Sequence, residues 1–242
     1  MKAAIDSFHL FLILFYPNYP FSAKSVQFLQ SVLIIDRFVL LSDTEVRFMV
    51  GRAAVRMIKQ MTREGLIEVP EQEHYVYALI TLAESAITIC AVMGLSLVVG
   101  RGLETVAFLA FFYALRKRTG GFHMWSFSKC LVGTLGIYIV VVGFMPDLVE
   151  HPSVLFGSLA VAMGILECVG TVNHPNMNYN SQELSEMKKA ARSMTMLEVG
   201  IILFCYYLKV DMYLIGYMCS GVILCAILVC VAKICRQEVK KR

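Results

Sequence analysis

MYLIGYMCSGVILCAILVCVA, residues Met212 to Ala232, runs 21 residues without a charged side chain. Coiled as an α-helix it is about 31 Å long, which matches the hydrocarbon core of a bilayer. A helix apolar on every side belongs in a large protein core or in a membrane. The rest of the chain decides between these. Working outward from this run, Tyr77–Val99, Leu103–Leu115, Leu131–Met145, Val154–Val172 and Met194–Leu208 are further apolar stretches. Hydrophobic residues make up 58% of the 242-residue chain and charged residues 17%. Soluble domains carry about 25% charge, so a soluble enzyme is excluded. In lipid a spanning backbone must satisfy its own hydrogen bonds, which leaves helices. The expected fold class is therefore all-α: a polytopic helical membrane protein with about six transmembrane helices.

Charge orients it. Arg116, Lys117, Arg118 and Lys129 lie between the second and third runs. Lys188, Lys189 and Arg192 lie between the fourth and fifth, and Lys233, Arg236, Lys240, Lys241 and Arg242 follow the sixth. The alternate connections are poor in lysine and arginine: a tight turn at Arg101 and Glu104, a loop from Pro146 to Pro152, and a turn at Lys209 and Asp211. The positive-inside rule puts the basic loops and both termini in the cytoplasm. The net charge of +4 then reflects topology and contact with anionic headgroups or an acidic peptide, with no nucleic acid required. The basic connection from Asn173 to Arg192 reads as an inner loop.

The front of the chain is different. Residues 1–42 form an extension whose apolar core, Phe8 to Tyr16, is too short to span and is expected to lie at the membrane. Pro17 and Pro20 end any helix there. Ser42 with Glu45 reads as a capping box. Val46, Met49, Val50, Ala53, Ala54, Met57, Ile58 and Met61 then recur at helical spacing, with Arg47, Arg52, Arg56, Lys59 and Arg63 mostly opposite. That is an amphipathic helix on the cytoplasmic side, closed by Gly65. It either packs under the bundle or grips an amphipathic peptide. The organisation is thus an extension over 1–42, amphipathic helix and linker over 43–73, a transmembrane domain over 74–233, and a basic tail over 234–242.

Of eight cysteines, Cys90, Cys168, Cys205, Cys219, Cys225 and Cys230 sit inside apolar runs and read as small buried hydrophobes. No CxxC pair occurs, so neither a metal site nor a dithiol centre is expected, and no cofactor is implied.

Cys130 stands apart. It lies in the basic segment ALRKRTGGFHMWSFSKCL, residues Ala114 to Leu131, seven residues after His123. A thiol and an imidazole at a membrane surface can act as nucleophile and base. Seven residues of unbroken helix would hold them roughly 10.5 Å apart along the axis, whereas proton transfer needs about 2.6–3.2 Å. The segment must therefore bend. Gly120-Gly121 is where it can, because glycine accepts positive φ and close backbone approach. Cys130 is then expected near the start of the third span, with Lys129 and Arg116 as cations that favour its thiolate. A thiolate attack on an amide also needs an oxyanion donor, for which Arg116 and a backbone N–H near Cys130 are both open. The blander alternative is an inert cysteine at a span end beside an ordinary basic loop.

Arg116, Gly120, Gly121, Phe122, His123 and Cys130, in this order and spacing, resemble the signature of the accessory gene regulator B (AgrB) family of quorum-sensing membrane endopeptidases. The layout is similar from about Asp43 to Lys233, and Asn173-His174-Pro175-Asn176 resembles the family's segment after the fourth span. The long extension before Asp43 departs from it. The resemblance implies a multi-pass thiol protease of the bacterial cytoplasmic membrane. Its catalytic pair would be His123 and Cys130, with Arg116, Gly120 and Gly121 supporting the motif. Its substrate would be a short AgrD-like precursor with an amphipathic leader and an acidic C-terminal part. Cleavage would proceed through a Cys130 acyl-enzyme, and a nucleophile within the precursor would close a thiolactone or lactone. Lys117, Arg118 and Lys129 are candidates for the acidic part, and Arg52, Arg56 and Lys59 for the leader. Two other classes compete: a peptide exporter, against which no internal repeat is found, and a non-catalytic scaffold. A homodimer is expected from the frequency of two-fold assemblies.

Glu84, Glu167 and Glu198 lie in apolar runs, where a carboxylate is costly and often functional. One of them can orient His123, as the third member of a triad does. Asn173 and His174 lie on the same face, although a plain turn before Pro175 explains them equally.

Overall fold

The structure, a computed structural model, describes residues 50–122, 127–173 and 179–235. The 1–42 extension, the Ser42–Glu45 capping box and the tail after Cys235 lie outside these residues. Among the described residues the fold is all-helical, with no strand.

Helix α1 covers residues 50–63. Ala54 and Ile58, one turn apart, are buried, while Arg52, Arg56, Lys59 and Arg63 are exposed. The buried stripe is narrower than its periodicity predicts, since Ala53 and Met57 face outward. Gly65 ends the helix at φ 73°, with Leu66 N–H donating to the Met61 carbonyl at 2.9 Å. A left-handed residue there closes the last turn, and glycine adopts it without strain.

Six longer helices follow a single 3-10 turn at Val69–Glu71: α2 (Gln72–Val99), α3 (Gly102–Thr119), α4 (Phe127–Glu150), α5 (Pro152–Val169), α6 (Ser181–Tyr207) and α7 (Met212–Ile234). Helix α7 is the axis of the bundle. Helices α3, α4, α5 and α6 all pack on it, and α2 lies outside against α3 and α4. Small residues let α7 approach its neighbours closely. A Cβ on Gly221 would stand 2.9 Å from the Phe108 carbonyl of α3, and one on Gly216 would stand 2.5 Å from the Met145 sulfur of α4. In lipid there is little hydrophobic drive between helices, so such close packing supplies much of the association. A buried hydroxyl pair, Thr105 to Tyr138 at 2.6 Å, joins the start of α3 to the middle of α4.

Four of the helix segments are long and apolar enough to cross a membrane: Val69–Val99, Phe127–Glu150, Pro152–Val169 and Met212–Ile234. The protein is a multi-pass membrane protein on that count. Helix α3 carries charges at both ends and α6 through its first half and at Glu198, and both fall outside that set.

Three expected boundaries move. The outer loop from Pro146 to Pro152 is mostly helix: α4 continues through Pro146 to Glu150, which leaves His151 alone between α4 and α5. Proline removes one N–H near a helix end, and a bundle tolerates that. The fourth run stops as helix at Val169, and Gly170 to Asn173 is a buried non-helical segment. The inner loop expected from Asn173 to Arg192 is helical from Ser181. Asn180 accepts from Gln182 N–H and Glu183 N–H at 2.9 Å, and the Glu183 carboxylate accepts from Asn180 N–H at 2.8 Å. Asn180 and Glu183 are a capping box legible at i and i+3.

The cysteines divide. Cys219 and Cys225 are buried as expected, but Cys90 and Cys168 are exposed and Cys205 and Cys230 are half-exposed. Positions expected inside the protein lie on outward faces of the bundle, which the apolar periodicity of a membrane helix does not distinguish from its core.

Candidate thiol site at the end of helix α3

Helix α3 ends at Thr119 with Arg116, Lys117 and Arg118 in its last turn, where cations complement the helix dipole. The chain then turns at Gly120 (φ 64°) and Gly121 (φ 127°). Neither position has room for a side chain. A Cβ on Gly120 would stand 2.9 Å from the Val172 carbonyl, and a Cβ on Gly121 would overlap the Arg116 guanidinium.

Arg116 folds back over this turn. Its Nη1 donates to the Gly120 carbonyl and its Nη2 to the Phe122 carbonyl, the second at 2.6 Å. The planar fork suits two carbonyls presented side by side. Phe122 N–H donates to the Leu228 carbonyl of α7 at 3.2 Å, which fastens the turn to the axis helix. From the opposite side comes the end of α5. Val172 N–H donates to the Thr119 carbonyl and the Thr171 hydroxyl to the Arg118 carbonyl, both at 2.9 Å. Thr119, Gly120, Gly121, Thr171 and Val172 are all buried. Buried loop backbone is rare because each polar group needs a partner, and here the Arg118, Thr119, Gly120 and Phe122 carbonyls each have one.

Helix α4 restarts at Phe127, so Cys130 lies in its first turn and is exposed. The thiol is within electrostatic range of the Arg116 guanidinium and the Glu84 carboxyl. The Thr134 hydroxyl donates to the Cys130 carbonyl at 2.8 Å. Two of Arg116's donors are committed to the turn, so its described contacts are those of a turn support. His123 and His174 lie outside the described residues, as does Trp125.

The remaining candidates scatter. Lys117 and Lys129 are exposed at the same end of the bundle. Arg118 is half-buried, donates to the Ala114 carbonyl at 2.8 Å and reaches Glu198 electrostatically. Both carboxylate oxygens of the buried Glu198 lack a hydrogen-bond partner among the described residues. Glu167 faces Arg192, whose Nε lies 4.0 Å from the carboxylate and donates to the Glu167 carbonyl at 2.9 Å. Asn173 is buried and bonds the Tyr179 backbone. Arg52, Arg56 and Lys59 stay on exposed faces of α1. Three contributors escaped the sequence reading. Thr134 stands one turn from Cys130 at i+4, a readable signal. Thr171 and Val172 had none beyond the glycine before them. Among the described residues no cluster of three or more His, Cys, Asp or Glu side chains could hold a metal.

No curated protein and no solved structure matches the chain significantly. The profile described as accessory gene regulator B matches residues 54–232. That interval holds α2 to α6, nearly all of α7, the Gly120-Gly121 turn and Cys130. The chain belongs to the accessory gene regulator B (AgrB) family.

Proposed function

We propose that the protein is a cysteine endopeptidase of the cytoplasmic membrane that cuts an AgrD-like precursor and closes its cyclic product through Cys130. Membership in a family that processes AgrD propeptides supports the substrate class. The observation that carries the thiol chemistry is the buried double-glycine turn, which ends α3 and lets α4 restart with Cys130 exposed in its first turn. All six long helices cross the membrane in this reading, with the charged ends of α3 and α6 at the cytoplasmic rim.

His123 takes the thiol proton as Cys130 Sγ attacks the scissile carbonyl carbon. The peptide bond breaks, His123 returns the proton to the leaving amine, and a thioester remains on Cys130. A thiol or hydroxyl within the precursor attacks that carbonyl and Cys130 departs as the free thiol. Exchange of one thioester for another is nearly balanced in energy, so the internal nucleophile has only to outrun water, and tethering gives it a large effective concentration. Lys117, Arg118 and Lys129 hold the acidic part of the precursor, and Arg52, Arg56 and Lys59 of α1 face its leader.

Co-expression with the short open reading frame beside this gene, followed by mass spectrometry, tests the reading. The wild type yields a fragment that lacks the precursor's tail and is one water lighter than the linear acid. Cys130→Ala and His123→Ala each lower its formation by at least about a thousandfold. Full processing by Cys130→Ala would overturn the proposal. Cleavage in sealed liposomes without an energy source separates it from an exporter.

A further inference from the structure

Helices α3 and α5 end alike, at Gly120 and Gly170, both with positive φ. The two chain ends then run side by side, joined by the Val172–Thr119 and Thr171–Arg118 bonds. Three residues after Gly120 comes His123. What holds the second chain end in place therefore bears on the register of the first, beside the Arg116 fork and the Phe122–Leu228 bond.

On its far side the second chain end is tied by one side chain. Asn173, only 6% exposed, donates from Nδ2 to the Tyr179 carbonyl and accepts from Tyr179 N–H at Oδ1, each at 3.0 Å. Its amide pairs with one backbone unit as a neighbouring strand would, and it ties residue 173 to residue 179. Asn180, the next residue, caps α6. The 171–173 segment is thereby registered against the start of α6 and cannot slide without breaking both bonds.

We propose that Asn173 is a positioning residue for the thiol site. It acts through Val172 and Thr119 on the turn that leads to His123. This inference rests on the reading that His123 and Cys130 form the reacting pair. A residue that merely stabilised the bundle would change the melting temperature and leave the pairing of thiol and imidazole untouched. A positioning residue changes the pairing itself.

The test is the pH profile of Cys130 alkylation by iodoacetamide, resolved peptide by peptide by mass spectrometry on the full chain in nanodiscs. Pairing with an imidazolium keeps the thiolate at lower pH, so His123→Ala should raise the midpoint by about one unit or more. Asn173→Ala should move the midpoint toward that of His123→Ala. Asn173→Asp accepts from Tyr179 N–H but cannot donate to its carbonyl, and should fall between. Thr171→Val removes one bond of the seam without changing shape and should shift the midpoint in the same direction. Should Asn173→Ala fail to assemble, Thr171→Val decides. A shift with His123→Ala but a wild-type midpoint in both Asn173→Ala and Thr171→Val overturns the positioning role alone. No shift with His123→Ala overturns the pairing, and the inference with it.

Discussion

Helix α3 is bounded by two glycine turns, each with an arginine beside it, and the two do different work. At its start Gly100 takes φ 73°, with Gly100 N–H donating to Leu97 and Arg101 N–H to Ser96. Nothing lies within 4 Å of where a Cβ would be. Arg101 turns outward, pairs with Glu104 at 2.9 Å and lies 4.0 Å over the Tyr213 ring. At its end Gly120 and Gly121 are buried, a Cβ on either meets other atoms, and Arg116 turns inward onto two carbonyls. The first glycine is there for its backbone conformation, the pair for conformation and for room. The first arginine decorates a surface turn, the second is part of the turn's frame.

Substitution at the two turns should separate these roles most sharply. Gly121→Ala should lower processing by about a hundredfold, the order of loss expected when a reacting group moves by an ångström. Gly100→Ala should leave the rate unchanged and cost about 1–2 kcal/mol of stability for a left-handed alanine. Product formation by mass spectrometry checks the first and thermal unfolding in detergent the second. Equal rates in both variants would erase the distinction.

The arginines give the next largest effect. A lysine at 116 cannot bridge both carbonyls. Arg116→Lys leaves one of them unbonded in a buried turn, at about 1–3 kcal/mol, and processing falls with it. Arg101→Lys keeps a cation beside Glu104 and frees no buried carbonyl, and should change stability by less than about 1 kcal/mol. Unfolding midpoints of the two variants, measured together, decide this.

Room for a side chain can be tested away from both turns. Gly221→Ala pushes a methyl against the Phe108 carbonyl and should cost about 1–3 kcal/mol by overpacking. Gly94→Ala, in open space inside α2, should be neutral or stabilise by about 0.5–1 kcal/mol through helix propensity. For a domain of this size each kcal/mol moves the melting temperature by about 2–4 °C. A similarly small effect is expected at the start of α3, where Glu104→Gln should cost about 1 kcal/mol at most.

The sequence alone was enough for the helical membrane class, for the family, and for the turn at Gly120-Gly121. Long uncharged runs have few other solutions, and a paired glycine is conspicuous between two of them. The amphipathic stripe of α1 and its stop at Gly65 were legible for the same reason. The extent of α4 and the start of α6 were misjudged. Pro146 looked like a stop, and charges from Glu183 to Arg192 looked like a loop, although helices accept both near their ends. Which cysteines are inside, which glycine needs room, and what Arg116 bonds were decided only by the tertiary structure. Apolar periodicity cannot tell a lipid face from a protein face, because in a bilayer both are apolar. The seam between the ends of α3 and α5 joins residues more than fifty positions apart, so no local pattern announces it. It exists because two buried chain ends, brought together around α7, satisfy polar groups of one another.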